Sequence, residues 1–145
     1  MSKSSHEISR AQLMGLTLSP LRLAELITDT TNRVIGDELL LTDPFKSLAA
    51  EYLGFLAARL DARTEAAEIM ANALPDSKTP MLSVGDLLYT AGHDLIGKYQ
   101  RPDPDASDYP EGLPVDMAED IARHTRFAIE DQLAQAYVDQ LGTAN

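Results

Sequence analysis

The sequence contains no cysteine and no tryptophan. The first absence excludes disulfides, thiolate nucleophiles and cysteine-ligated zinc, so thiol redox chemistry has no handle in this chain. Positive charge is scarce as well: 12 Lys and Arg stand against 23 Asp and Glu, a net charge of −11. Phosphates are repelled by such a balance, so neither nucleic acid nor an anionic membrane surface is an expected partner. No apolar run approaches the ~20 residues of a membrane span, and Met1 to Leu16 lacks the continuous apolar centre of a signal peptide. A cytoplasmic protein is the expectation.

What is present is enough for a core. Hydrophobic residues make up 44% of 145 residues, a length typical of one domain, so residues 1–145 are read as a single unit. Its organising stretch runs from Asp43 to Leu74. Asp43-Pro44 supplies a capping oxygen followed by a proline whose fixed φ suits the first helical position. Phe45, Ala49, Tyr52, Leu56 and Leu60 then recur at steps of three and four, and Ala67, Met70 and Leu74 resume the series. The spacing predicts one core-facing stripe, interrupted by Asp61, Arg63, Thr64 and Glu65 with no proline or glycine to force a kink. Ala50, Gly54 and Ala58 form a second row at four-residue spacing. Glycine costs a helix about 1 kcal/mol relative to alanine, so Gly54 points to close approach by a neighbouring helix, and the row is the expected self-contact. A continuous helix from Pro44 to Ala73 would measure roughly 45 Å, against about 38 Å across a globule of this length. Such a helix must bend, or protrude and be covered by another subunit.

The flanking segments also read as helices. Residues 1–7 are polar and serine-rich, expected to be flexible, and Ile8, Leu13 and Leu16 support a short helix. Ser19-Pro20 repeats the cap signal and opens a helix carrying Leu23, Leu26, Ile27, Thr30 and Val34, with Gly36 as its stop. Leu39 to Leu41 reads as a packed connection, and Pro75 to Pro80 as an exposed turn. A helix should begin near Ser83 or Asp86 with Val84, Leu88, Ala91, Leu95 and Tyr99 on its apolar face, weakened by Gly85, Gly92 and Gly97. Residues 101–114 form a long acidic, proline-rich loop. The last helix is expected to open at Asp116, with Glu119 completing a variant capping box, and to run to Leu141 with Ala122, Ile129, Leu133 and Ala136 facing the core.

Candidate chemistry is sparse. Asp103, Asp105 and Ser107 offer the first oxygen ligands of a calcium loop, but the sharp-turn glycine and the closing glutamate are replaced by Asp108 and Pro114. Asp120 and His124, four apart on one helix, are the weak metal candidates, and no third ligand can be assigned. His93, between Gly92 and Asp94, is the best lone acid/base candidate. No P-loop, dinucleotide-binding glycine pattern or Gly-x-Ser-x-Gly turn occurs. The segment from Ala11 to Ile27 carries small and apolar residues near helix-turn-helix positions, yet Arg22 beside Glu25 and Asp29 is a poor match to DNA phosphates.

These features predict an all-α helical bundle of about four to five helices around a long central helix. They favour a non-enzymatic interaction or regulatory module, homo-oligomeric through Ala50, Gly54 and Ala58, with no cofactor. Ten acids against Arg123 and Arg126 between Asp103 and Asn145 make a basic protein the charge-complementary partner. The competing reading is a small-molecule- or metal-dependent helical enzyme that gathers His93, Asp94 and His124 at one pocket.

Overall fold

The computed structural model describes residues 8–36, 43–73, 81–102, 104–105 and 109–143. Five helices pack against one another in this order: α1 (Arg10–Met14), α2 (Pro20–Ile35), α3 (Asp43–Ala73), α4 (Val84–Gln100) and α5 (Val115–Thr143). Their starts follow local chemistry. Ser9 and Gln12 form a reciprocal capping box at α1. The Ser19 hydroxyl accepts from the Arg22 amide at α2, and the Ser83 hydroxyl from the Asp86 amide at α4. Gly36 ends α2, its amide donating to the Asn32 carbonyl.

Periodicity did not predict strands, and two short ones are present. β1 (Thr17–Leu18) pairs antiparallel with β2 (Leu82–Ser83), placing Thr17 opposite Ser83 and Leu18 opposite Leu82. The Val84 amide extends the clasp by donating to the Leu16 carbonyl at 3.0 Å. Each strand leads at once into a serine-capped helix, so α1–β1–α2 and α3–β2–α4 are two similar units joined at their strands. Two residues per strand are too few for alternation to register in a sequence.

The core lies where α3 meets α2, α4 and α5. Ala49, Tyr52, Leu56 and Leu60 of α3 are buried, as are Leu26 and Val34 of α2, Leu88 and Leu95 of α4, and Ile129 and Leu133 of α5. Leu13 of the short α1 is fully buried beside them. The helix α3 is continuous through the polar interruption, but the expected stripe is not. Beyond Leu60 no described residue of α3 is buried, and Ile69 and Met70 are each 64% exposed. At roughly 1.5 Å per residue, α3 outruns the bundle that covers its first half. The Phe45 side chain, Leu74, Leu39 to Leu41, the turn at 75–80 and two of the four acids of 101–114, Asp103 and Asp108, lie outside what is described, while Asp105 and Glu111 are exposed. The helix α5 starts at Val115, one residue before the expected cap, so Asp116 sits in its first turn and complements the helix dipole there.

The glycines of α4 divide by surroundings. A Cβ on Gly85 would lie 2.6 Å from the Met14 carbonyl oxygen, so this glycine admits the end of α1 against the start of α4. A Cβ on Gly97 would meet nothing within 4 Å. Gly85→Ala is therefore expected to destabilise the fold by about 1–3 kcal/mol through overpacking. Gly97→Ala is expected to stabilise it by about 0.5–1 kcal/mol through helix propensity. Urea denaturation midpoints of the two variants should move in opposite directions.

Candidate functional site

Two neighbouring clefts share His93. The first, of about 420 Å³, lies between α4 and α5. Tyr89, His93 and Ile96 form its α4 wall, Glu119, Arg123, Arg126 and Phe127 its α5 wall, and Gly92 with Ala122 the floor. The second, a shallower groove of about 730 Å³ between α3 and α4, is bounded by Ala58, Arg59 and Ala62 on one side and Asp94, Gly97 and Lys98 on the other.

His93 is exposed at the ridge between them, its ring 4.5 Å from that of Tyr89 at 58°. The adjacent Asp94 is committed elsewhere. Both of its carboxylate oxygens accept from Arg59, at 2.7 Å each. This bidentate pairing holds the Asp94 carboxyl below the usual range for an aspartate. Asp94, expected to gather with His93 and His124 at one pocket, is thus paired with an arginine two turns along α3 from Tyr52. His124 lines neither cleft. Its Nδ1 donates to the Asp120 backbone carbonyl at 2.7 Å, while the Asp120 carboxylate binds Arg123. Asp120 and His124 are therefore neighbours along a helix rather than two arms of one ligand set. Among the described residues no three His, Asp or Glu side chains converge as metal ligands.

The charged group that organises the α4/α5 cleft was missed by sequence reasoning. Glu130 is only 1% exposed, and its Oε2 accepts from the Arg126 Nε at 2.9 Å. Tyr52, fully buried, donates its hydroxyl to the Leu88 carbonyl at 3.1 Å. Burial pushes the Tyr52 phenol far above its ordinary pKa, and the charge of Glu130 adds to the effect while Arg126 opposes it. A signal for this cluster existed. Arg126 and Glu130 are four apart, and Glu130 falls between Ile129 and Leu133 on the apolar side of α5. An arginine from outside the helix also contributes: the Arg10 guanidinium lies 4.4 Å from the centre of the Phe127 ring.

Ala50, Gly54 and Ala58 are all exposed, and a Cβ on Gly54 would meet nothing within 4 Å. Among the described residues no neighbouring helix packs against Gly54, contrary to the intramolecular form of the expectation, while Ala58 borders the α3/α4 groove. No known protein family, curated protein or solved structure matches this chain. No helix among the described residues is long and apolar enough to cross a membrane.

Three outcomes are expected from these contacts. Removing the partner of a buried carboxylate leaves a charge without compensation, so Arg126→Met should cost about 3 kcal/mol. Adding Glu130→Leu to that variant should recover most of the loss, a non-additivity that a double-mutant cycle in urea would measure. The acid limb of stability should depend on Arg59. A carboxyl with a depressed folded pKa contributes stability that is present above its unfolded value of about 3.9 and is lost as pH falls through the folded one. Asp94 and Asp139, the latter held down by its bond to Arg33, both behave this way. Arg59→Gln should therefore lose stability less steeply below about pH 4 than wild type, as followed by circular dichroism. At the other limb, burial and the charge of Glu51 push Tyr99 up to about 12. Its contribution is present below about pH 10 and is lost as pH rises from there towards the folded value.

Proposed function

We propose that this chain is a non-enzymatic helical module that self-associates along the exposed face of α3 and offers the rest of its surface to a protein partner. The observation that carries the reading is the exposure of Ile69 and Met70 on a helix that leaves the core after Leu60. Exposed large apolar side chains grouped on one element mark a contact surface more often than they mark tolerated surface chemistry. Ala50, Gly54 and Ala58 lead towards them, and Ala62, Ala66 and Ala73 continue the small-residue surface along the same helix, all exposed. Small side chains let two helix axes approach to the short end of the 8–10 Å range, where contact along the whole face accumulates. A twofold arrangement would place each projecting half against its partner's covered half, so that both apolar ends are buried at once.

The partner-binding part of the reading rests on charge. Asp116, Glu119, Asp120 and Asp131 are exposed along α5, and a basic protein surface is the complement to such a row.

Multi-angle light scattering on wild type, Gly54→Leu and Ile69→Asp tests the assembly. Both positions are exposed, so each variant is expected to retain wild-type helicity by circular dichroism while shifting a wild-type dimer or larger species towards monomer. A monomeric wild type at tens of micromolar, or an oligomer unchanged in both variants, would remove α3 as the assembly surface.

A further inference from the structure

The α4/α5 cleft has the chemistry of a ligand site, and assembly along α3 makes no use of it. Its volume of about 420 Å³ falls within the range of small-molecule pockets, roughly 300–1,000 Å³. Two aromatic rings bound it, and each is held from behind or beside: Phe127 by the Arg10 guanidinium, Tyr89 by the tilted His93 ring. Ile96 and Ala122 add an apolar surface between them. The charged lining consists of two guanidiniums, Arg123 and Arg126, against one carboxylate, Glu119. In a chain of net charge −11, this lining has more cations than anions, as does the neighbouring groove with Arg59, Lys98 and Arg101 against Asp94.

Arg126 is also fixed in place. Its Nε serves the buried Glu130, so the side chain cannot swing away without leaving that carboxylate alone in the core. The two terminal amino groups remain as the donors it can present to the cleft. Arg123 binds Asp120 through one terminal amino group, which leaves its Nε and second amino group as donors. A ligand that meets these groups finds donors already oriented, so little freedom is lost on binding.

We propose that this cleft binds a small aromatic anion, a flat ring system bearing a single carboxylate. The ring lies between Tyr89 and Phe127 over Ile96, and the carboxylate accepts from Arg123 and Arg126. Glu119 restricts the charge: a second anionic group on the ligand would face it across the cleft. The site draws on α4 and α5 alone, so it stands or falls separately from the assembly through α3.

Nuclear magnetic resonance titration of the full chain with naphthalene-2-carboxylate tests the proposal, with naphthalene-2-methanol as the uncharged ring and acetate as the charge without a ring. Saturable amide shifts confined to residues 89–96 and 119–127 are expected with the carboxylate. The alcohol and acetate should each bind at least about tenfold more weakly, the loss of a charge-assisted pair or of ring burial. Arg123→Gln is the informative variant, because Arg123 is exposed and its loss strands no buried group. It should weaken naphthalene-2-carboxylate by about tenfold and leave the alcohol unaffected. No saturable shift, shifts centred elsewhere, equal affinity for carboxylate and alcohol, or undiminished affinity in Arg123→Gln would each overturn it.

Discussion

Glu130 places a carboxylate where α3, α4 and α5 meet, and the arrangement of those helices follows from accommodating it. A charge removed from water must be met by an opposite charge or hydrogen-bond donors. Arg126 meets it from one turn away on the same helix and is thereby kept at the rim of the bundle, where it borders the α4/α5 cleft. Tyr52 occupies the remaining space with its hydroxyl turned to the Leu88 carbonyl, so the phenol bridges α3 to α4 without adding an unsatisfied group. The Tyr52 bond ties α3 to α4, and the Arg126–Glu130 pair of α5 adds a charged group to a core whose other buried polar side chains, among the described residues, are Thr30 and Thr125. Apolar contacts tolerate sliding, whereas a buried carboxylate must keep its compensating partner, so α5 has to leave Glu130 where Arg126 reaches it from the rim.

The surface of the bundle divides by helix. The first half of α3 is covered on its Tyr52 side and open on its Gly54 side, and the second half has no buried residue, with only Thr64, Ala67 and Ala71 half-buried. By contrast, α5 is buried along Ala122, Ile129 and Leu133 and pairs its outer charges with α1 and α2, through Arg10 with Asp131 and Arg33 with Asp139. Asp29 and Gln140 add a further contact between α2 and α5. Most ion pairs of this kind are exposed and contribute little stability individually. Among the described residues they leave open the α3 row and the two clefts that flank α4.

The helices were legible in the sequence because their signals are local. Ser19-Pro20, Gly36 and Ser83 each sit where the chain itself must satisfy or abandon a helix end, and the structure places the boundaries there. The apolar faces of α2 and α4 were legible for the same reason: periodicity of 3.6 is a property of the segment. What escaped depended on partners far along the chain. Met70 continues the spacing of Leu56 and Leu60 yet faces solvent, because period tells which side chains share a face and not how far a neighbour extends beside it. Asp94 looked like a companion of His93 by adjacency, but a helix turns neighbours about 100° apart, and Arg59 was nearer in space. Glu130 was passed over as one acid among many, although its position between Ile129 and Leu133 marked it as the acid most in need of a partner.

The strand clasp sets the order in which such a chain can assemble. Two residues per strand cannot persist alone in water, so β1 and β2 pair only once the helices on either side of each are docked. Joining Thr17 to Ser83 closes a loop that contains all of α2 and α3, at an entropic cost that must be met before its hydrogen bonds return anything. The helices, whose contacts are local, can form on a much shorter timescale. The clasp is accordingly expected to close after the longer helices form, and since a five-residue α1 is not stable as a helix by itself, its helix depends on the same docking that brings β1 to β2.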